Sequence, residues 1–500
     1  MMIVTSVEVM RQSDAETIKK GTDSKELMWR AGKGIFESYP FRGKVAILCG
    51  SGNNAGDGYV LALHLHKAHI PCTVLLLESR FSEDGGYYYE KCKEIGVEIA
   101  FFTPETDLSA YAEIVDCIFG TGFRGAPRGI AAEALRAMNE SGRPVISADI
   151  NSGLCGDNGQ GELCVQSALT VSIGFYKYGH YLGKAKDVIG ELKNLDIGID
   201  LYGKAAHLLE SGDCKAVFGL RKQNSHKGNF GYVSILGGCR EYAGAVKLAN
   251  LSCAALRAGC GVAQLILPES IAPSVAPYLL ESTLATLADR EGHMLFDSNA
   301  LDRVLQKQKA LAIGMGWGKS EENEKILRHI LEHHSLSLII DADGLNTLSG
   351  MDKEILKTTQ CKVALTPHMM EFSRLCGESV ETICQNPVEI AEKFAGEYGV
   401  CLLLKGSTTI VTDGETTYLV DRGCAGMATA GSGDVLAGVL AGLCGYAPVS
   451  PLMVACGAYV AGRAGEIAQE KVNPVSMLAS DTVAHIGEAV SEILKETEQS

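Results

Sequence analysis

The chain has 500 residues, 46% of them hydrophobic and 21% charged, enough for two domains or at most three. Its formal net charge of -15 argues against a nucleic-acid partner or an anionic membrane surface, both of which need a basic face. The 17 cysteines are scattered without paired CxxC spacing, and Cys49, Cys253 and Cys401 fall in apolar contexts. Buried reduced thiols are therefore expected, not disulfides or zinc.

In chain order, the start "MMIVTSVEVMRQSDAETIKK" has no long apolar region of the signal-peptide kind, so the cytoplasm is the expected compartment. Strands are then expected at Lys44–Cys49, Cys72–Leu77, Ile114–Phe119 and Pro144–Ala148, with helices between them, which implies α/β layering on mainly parallel sheets. The turn Gly50-Ser51-Gly52-Asn53-Asn54-Ala55 fits a Rossmann dinucleotide fingerprint, and Glu78 closes the next apolar run. Glycines suit a pyrophosphate at a helix N-terminus. The crowding of Asn53, Asn54 and Asp57 into the same turn does not, although such residues often only satisfy local backbone.

Asp116 and Asp149 come at two further strand ends, in "DCIFGTGFRGAPRG" and "DINSGL". Carboxyl ends of neighbouring parallel strands share one crevice, so Asn54, Asp116 and Ser152 can meet there. Their oxygen-only chemistry suits a hard cation, and the few fixed charges suit a monovalent one. Asp149 remains as a candidate acid/base.

After Ile197 the regularity weakens, and the polar stretch that follows holds the domain boundary, set at 212/213. A second α/β series starts at Gly231–Gly238 and continues through "ALAIGMG", "LSLIIDADG", "CKVALTP" and "VCLLLKGSTTIV". In "ATAGSGDVLAGVLAGL" a glycine turn opens a small-residue helix with Asp434 in its first turn. Backbone N–H groups there can neutralise a transferring phosphoryl group, and Asp434 can take a proton from an attacking hydroxyl. No P-loop sequence is present. The uncharged run Val435–Gly462 is interrupted near Pro448 and Pro451, and reads as two buried helices joined by a turn, not as a membrane span.

Two resemblances emerge from these motifs. "GSGNNAGDGY", "DCIFGTGFRG", "DINSGL" and "TVSIGFYKYG" resemble the NAD(P)H-hydrate epimerase domain of the bifunctional NAD(P)H-hydrate repair enzymes. The second half, from "HKGNFGYVSILGG" through "GMGWG", "DADGLN", "TPHMMEFSRL", "KGSTTIV" and "GSGD", resembles their ribokinase-like dehydratase domain. The implied architecture is a Rossmann-like three-layer domain (1–212) followed by a ribokinase-like domain (213–500).

By resemblance, Asn53, Asn54, Ala55, Gly56, Asp57, Gly120, Thr121, Gly122, Phe123, Arg124, Gly125, Ala126 and Asp149 contact a hydrated dinucleotide. Asn54, Asp116 and Ser152 hold potassium. Ala245, Gly316, His368 and Asp434 contact the substrate of the second domain. Lys405, Gly406, Ser407, Thr408, Thr409 and Gly433 contact an ADP or ATP phosphate donor, with Mg2+ as its companion ion. Lys177 either faces the substrate or lies on the surface. The implied activities are epimerisation of the R and S hydrates of NADH or NADPH at C6, then dehydration of the S form through a phosphorylated intermediate. A homo-oligomer is expected. The chain departs from the family pattern at Ala55, at Asn151 where proline is usual, a change that can loosen the loop of Ser152, and at Met369-Met370 where Pro-Gly is usual. The alternative on the same residues is a ribokinase-class small-molecule kinase with a non-catalytic, partner-binding Rossmann-like domain.

Overall fold

The computed structural model describes residues 2–218, 221–254 and 257–495, with the side chains of 251–254 excepted, so Cys253 lies outside the described side chains. The chain divides into two units, Ile3–Ala206 and His207–Ser500 together with Met1–Met2.

The first unit begins with β1 (Met2–Thr5), then β2 (Val45–Cys49), β3 (Cys72–Leu76), β4 (Glu98–Phe101), β5 (Glu113–Cys117), β6 (Val145–Ala148), β7 (Ser167–Ile173), β8 (Tyr176–Lys177) and β9 (Ile189–Leu195). Seven of these form a sheet in the order β4-β3-β2-β5-β6-β7-β9, parallel throughout. Every residue of β2 is buried. Val45, Ile47 and Cys49 enter one apolar cluster while Ala46 and Leu48 enter another. Helices cover both faces, which is why the strand is apolar without alternation. The chain leaves β2 toward β3 and β4, then returns to β5 on its other side. This reversal opens a crevice at the carboxyl ends of β2 and β5.

The glycines after β2 serve close approach. A Cβ at Gly56 would lie 2.4 Å from the Met28 sulfur, and one at Gly50 would lie 2.3 Å from the Ile118 carbonyl oxygen. The helix Asn53–Lys67 can therefore sit tightly on its neighbours only with glycine there.

The second unit contains β10 (Ala206–Leu208), β11 (Tyr232–Leu236), β12 (Val262–Pro268), β13 (Thr283–Leu287), a hairpin of β14 (Asp289–Arg290) and β15 (His293–Met294), and then β16 (Ala310–Ile313), β17 (Ser337–Ile340), β18 (Lys362–Leu365), β19 (Cys401–Leu404), β20 (Thr409–Thr412) and β21 (Thr417–Val420). Within this unit the main sheet runs β13-β12-β11-β16-β17-β18-β19-β20-β21-β10. It is parallel from β13 to β19. The run "VCLLLKGSTTIV", expected to continue the parallel series, is instead a tight antiparallel pair, β19 with β20, and β21 adds a second antiparallel step. The short turn of Lys405–Thr408 permits only an antiparallel return, because a parallel return needs a long crossover. The small-residue run forms two helices, Ser432–Cys444 and Pro451–Val472, as expected. No helix among the described residues is long and apolar enough to cross a membrane.

The division at 206/207 lies before the expected 212/213, and β10 is the reason. His207 and Leu208 pair in parallel with Tyr418 and Leu419 of β21. A fragment starting at residue 213 would lose that strand and expose the edge of β21. Residues 206–500 are expected to melt at a clearly higher temperature than residues 213–500. Equal melting temperatures by differential scanning fluorimetry would mean that β10 adds nothing to the unit.

Candidate active sites

A cavity of about 880 Å3 occupies the crevice of the first unit. Of the sequence-predicted residues, Asn53, Asn54, Asp57, Gly120, Thr121, Gly122, Phe123 and Asp149 line it, and so do Glu78 and Lys177. Ala55 enters the apolar core and Gly56 abuts Met28, so these two hold the helix in place and do not line the cavity. Arg124 turns to Asp157, and Gly125 and Ala126 are likewise outside the lining.

Asp149 follows β6 with φ at +63°, a left-handed conformation that an aspartate adopts at some cost. One carboxylate oxygen accepts from the Lys177 ammonium at 2.6 Å and the other from the Thr121 N–H at 3.0 Å. Burial pushes the Asp149 carboxyl up, but Lys177, the Thr121 N–H and His180 outweigh it and hold the group below the usual carboxylate range. The Lys177 N–H donates to His180 Nδ1, so the His180 proton sits on Nε2 and meets the Asp149 carbonyl at 2.8 Å. Burial and Lys177 lower His180 to about 4, so the ring stays neutral.

Lys177 is only 1% exposed, which resolves its two sequence-level alternatives in favour of an inward-facing side chain. It lies on β8, and Val4 and Thr5 of β1 pair with Tyr176 and Lys177. No local pattern announces this burial, because lysine is ordinarily exposed. Asp57 shares the cavity. Burial, with Asp149 and Asp14 nearby, pushes its carboxyl well up, against the opposing pull of Lys177.

The three expected cation ligands differ in their surroundings. Asn54 donates from Nδ2 to the Ala148 carbonyl, which leaves its buried Oδ1 without a partner. Asp116 accepts from the Ser147 hydroxyl, the Ile118 N–H, and both the hydroxyl and N–H of Ser152. Asn151, expected to loosen the Ser152 loop, instead ties it down. Its buried amide nitrogen lies within hydrogen-bond distance of the Val165 carbonyl, the Ser167 hydroxyl and the Val188 carbonyl, at 2.8, 3.0 and 2.9 Å, and shares its two hydrogens among them.

In the second unit the chain reverses in the same way, from β11 to β12 and β13, then to β16 on the other side. Loops following β16, β17, β18 and β19 bring Gly316, Asp341, His368 and Lys405 to their carboxyl ends. Gly316 abuts Ala245, since a Cβ on Gly316 would lie 2.9 Å from the Ala245 methyl. Asp341, which sequence reasoning saw only as part of "DADGLN", holds the Lys405 ammonium at 2.8 Å, and Glu371 stands 3.9 Å away. Burial pushes Lys405 down, but Asp341, Glu371 and Asp434 together keep it above its usual value. The glycine turn joins this group: a Cβ on Gly433 would be 3.5 Å from both Asp341 Oδ2 and Lys405 Nζ.

Asp434 sits in the first turn of Ser432–Cys444, behind Gly431 at φ +96°. Burial first, then Asp341, raise its carboxyl to about 6, with Lys405 opposing. His368 caps the helix Met369–Cys376 by accepting at Nδ1 from the Met370 and Glu371 N–H groups, and Glu371 returns the bond to the His368 N–H. The Met369-Met370 departure thus leaves a reciprocal cap intact. Thr408 donates to Asp421, so its hydroxyl is already engaged. A groove of about 830 Å3 shares Gly318 and Asp343 with this end of the sheet, but not Asp434 or Lys405.

Comparison with known proteins agrees across the chain. The NAD(P)H-hydrate dehydratase family profile matches residues 233–487, and the profile described as YjeF-related protein N-terminus matches residues 24–179. A bifunctional NAD(P)H-hydrate repair enzyme of Moorella thermoacetica is 32% identical over 100% of this chain and 98% of its own length. Its Escherichia coli counterpart is 33% identical over 91% of this chain and 87% of its own length. Among solved structures, a ribokinase-like superfamily protein from Enterococcus faecalis superposes with a TM-score of 0.51 at 24% identity, covering 59% of this chain and 98% of that one.

Proposed function

Because the chain belongs to the bifunctional NAD(P)H-hydrate repair enzymes, we propose that its two sites handle one damaged cofactor in succession. The first unit interconverts the R and S hydrates at C6. The second dehydrates the S form with ADP or ATP. The observation that carries the first assignment is the Asp149–Lys177 pair inside the cavity at the strand reversal. Lys177 keeps Asp149 ionised, so Asp149 can accept a proton beside the ring. Asp57, pushed the other way, keeps its proton to higher pH than an ordinary carboxyl and is the candidate donor. Two carboxyls driven apart in this manner divide acid and base roles.

In the second unit Asp434 takes the proton of the C6 hydroxyl as that oxygen attacks the terminal phosphoryl group of the nucleotide. The N–H groups of the Gly431–Gly433 turn receive the developing charge. Phosphate then leaves C6 with the C–O electron pair while the ring nitrogen donates its own pair. Loss of the C5 proton restores the dihydropyridine. Substrate contact by Ala245, Gly316 and His368, and donor contact by Lys405 to Thr409 and Gly433, belong to the same reading.

The donor sets fit the two implied cations. In the first unit Asn54 Oδ1 is buried and unpartnered, and with Asp116 and Ser152 it offers only oxygens, as potassium requires. Such an ion would fix the loops that carry Gly120 and Ser152. In the second unit Asp341 and Glu371 are oxygen donors in a surplus of negative charge, which suits Mg2+. It would offset phosphate charge.

Sixteen described cysteines stand outside any disulfide, and a cytoplasmic location belongs to the same proposal. Analytical ultracentrifugation tests the expected homo-oligomer.

The deciding experiment follows NADH absorbance from a mixed hydrate, with ADP and ATP supplied separately. Full recovery with either donor supports the reading, and no recovery with both would sink it. For the ion, epimer exchange is expected to fall severalfold when potassium is replaced by tetramethylammonium. Identical rates in the two salts would remove the cation from the first site.

A further inference from the structure

At the amino end of β17, the end opposite the loop of Asp341, three side chains of the second unit converge on one point. Asp302 lies on the helix Ser298–Leu305, and His329 lies on the helix Glu321–His333. His334 is the C-cap residue of that second helix, with extended backbone (φ -113°, ψ 156°). There the chain leaves the helix, and the ring of His334 turns back beside the last turn. Its centroid lies 5.8 Å from that of His329. Both Nε2 atoms meet the same oxygen, Asp302 Oδ1, at 2.8 and 3.0 Å. The imidazoles are largely covered, at 12% and 15% exposure, while the carboxylate is 52% exposed. The His329 ring is held by Phe296 and His333 at centroid distances of 5.4 and 4.6 Å. Two fixed rings aimed at one accessible carboxylate oxygen leave a donor set open toward solvent.

The geometry points to a binding site for a first-row transition dication, such as Zn2+, Co2+ or Ni2+, formed by Asp302, His329 and His334. The three donor atoms lie within 4.8 Å of one another. Ligands at roughly 2.0–2.2 Å from an ion, at angles between 90° and tetrahedral, are themselves about 3–3.5 Å apart. The two Nε2–Oδ1 separations, 2.8 and 3.0 Å, lie just below and at the short end of that range, so a shift of a few tenths of an ångström at Asp302 admits the ion. Two imidazoles and one carboxylate are borderline ligands, which excludes the hard-ion preference of Ca2+ and Mg2+. The remaining positions face water. The ion would add a further link between the helices Ser298–Leu305 and Glu321–His333, which the bond from His329 to Asp302 already connects. Its role would be a clamp on the second unit, separate from Asp434 and Lys405.

The test titrates Co2+ into the untagged full chain, following visible d–d absorption, with stoichiometry from equilibrium dialysis. One Co2+ per chain is expected, without the thiolate charge-transfer band that cysteine ligation would give. Either His329→Gln or His334→Gln should weaken binding at least tenfold, and Asp302→Asn should do so independently. Addition of Zn2+ should raise the melting temperature of the wild type, and of none of the three variants. All three positions are near the surface, and circular dichroism verifies that each variant folds. Absence of binding, a thiolate band, or titrations indistinguishable between the wild type and all three variants would each overturn the site.

Discussion

Replacing Asp434 by Asn is expected to abolish nucleotide-dependent recovery of NADH while leaving epimer exchange untouched. General-base removal typically costs about 10²–10⁴-fold in rate, and Asn keeps the shape and the helix. Nucleotide binding should change far less, because backbone N–H groups of the glycine turn make much of the phosphate contact. The same substitution should stabilise the second unit. The folded Asp434 carboxyl is raised from 3.8 to about 6, chiefly by burial. A raised acid costs stability wherever it is ionised in the folded state, so the penalty is full above about pH 6 and vanishes as the pH falls below 3.8. The shift of about two units bounds the gain at roughly 3 kcal/mol at neutral pH, and partial exposure reduces it to about 1–2 kcal/mol. Dehydration by the wild type should in turn decline as the pH falls through about 6, where the base takes up its proton. A variant that kept near-wild-type dehydration, or that melted earlier at pH 7, would show that Asp434 only caps its helix.

What the sequence disclosed and what it withheld divide by range. A glycine turn between a strand and a helix announces the loop of Asn54, an acid at a strand end announces Asp149, and a glycine turn opening a small-residue helix announces Asp434, because each signal is written in adjacent residues. The burial of Lys177 is not written there. It follows from the pairing of β8 with β1, whose residues lie at the other end of the unit. Asp341 was visible as part of a motif, but its role is the grip on Lys405, 64 residues away. The boundary moved for the same reason, since β10 takes its partner from β21. Asn151 shows the converse error. A residue that departs from a family proline reads as a loosening, yet its amide reaches acceptors on three other residues that proline could not have used. Ala55 closes the fingerprint and Gly56 follows it, but both serve the packing of their helix, so a motif marks the neighbourhood of a site more reliably than each of its members.

Lys177→Met should cost both epimerisation and stability, in a way that separates charge from shape. In the wild type Lys177 keeps the Asp149 carboxyl below its ordinary value in spite of burial. Asp149 therefore contributes stability above the unfolded carboxylate value, and that contribution is lost as the pH falls through the depressed folded value. Removing the lysine leaves a buried carboxylate with no cation, an arrangement that typically costs about 3–5 kcal/mol. Burial then dominates and lifts the carboxyl, so the sign inverts for this group: as the pH is lowered from 7 toward 5 the variant should gain more stability than the wild type, in which Asp149 adds nothing over that range. Asp149 ceases to be a ready base, and epimer exchange should fall by about 10²–10⁴-fold. Adding Asp149→Asn to Lys177→Met removes the stranded charge and should restore much of the melting temperature without restoring exchange. Dehydration of the S hydrate, carried out in the other unit, should stay at the wild-type rate in all of these variants. The measurements are thermal melts of the full chain against pH and chromatographic epimer exchange. A double variant no more stable than Lys177→Met would show that the lysine acts through its fit in the cavity wall and its bond to the Ile173 carbonyl, and not through Asp149.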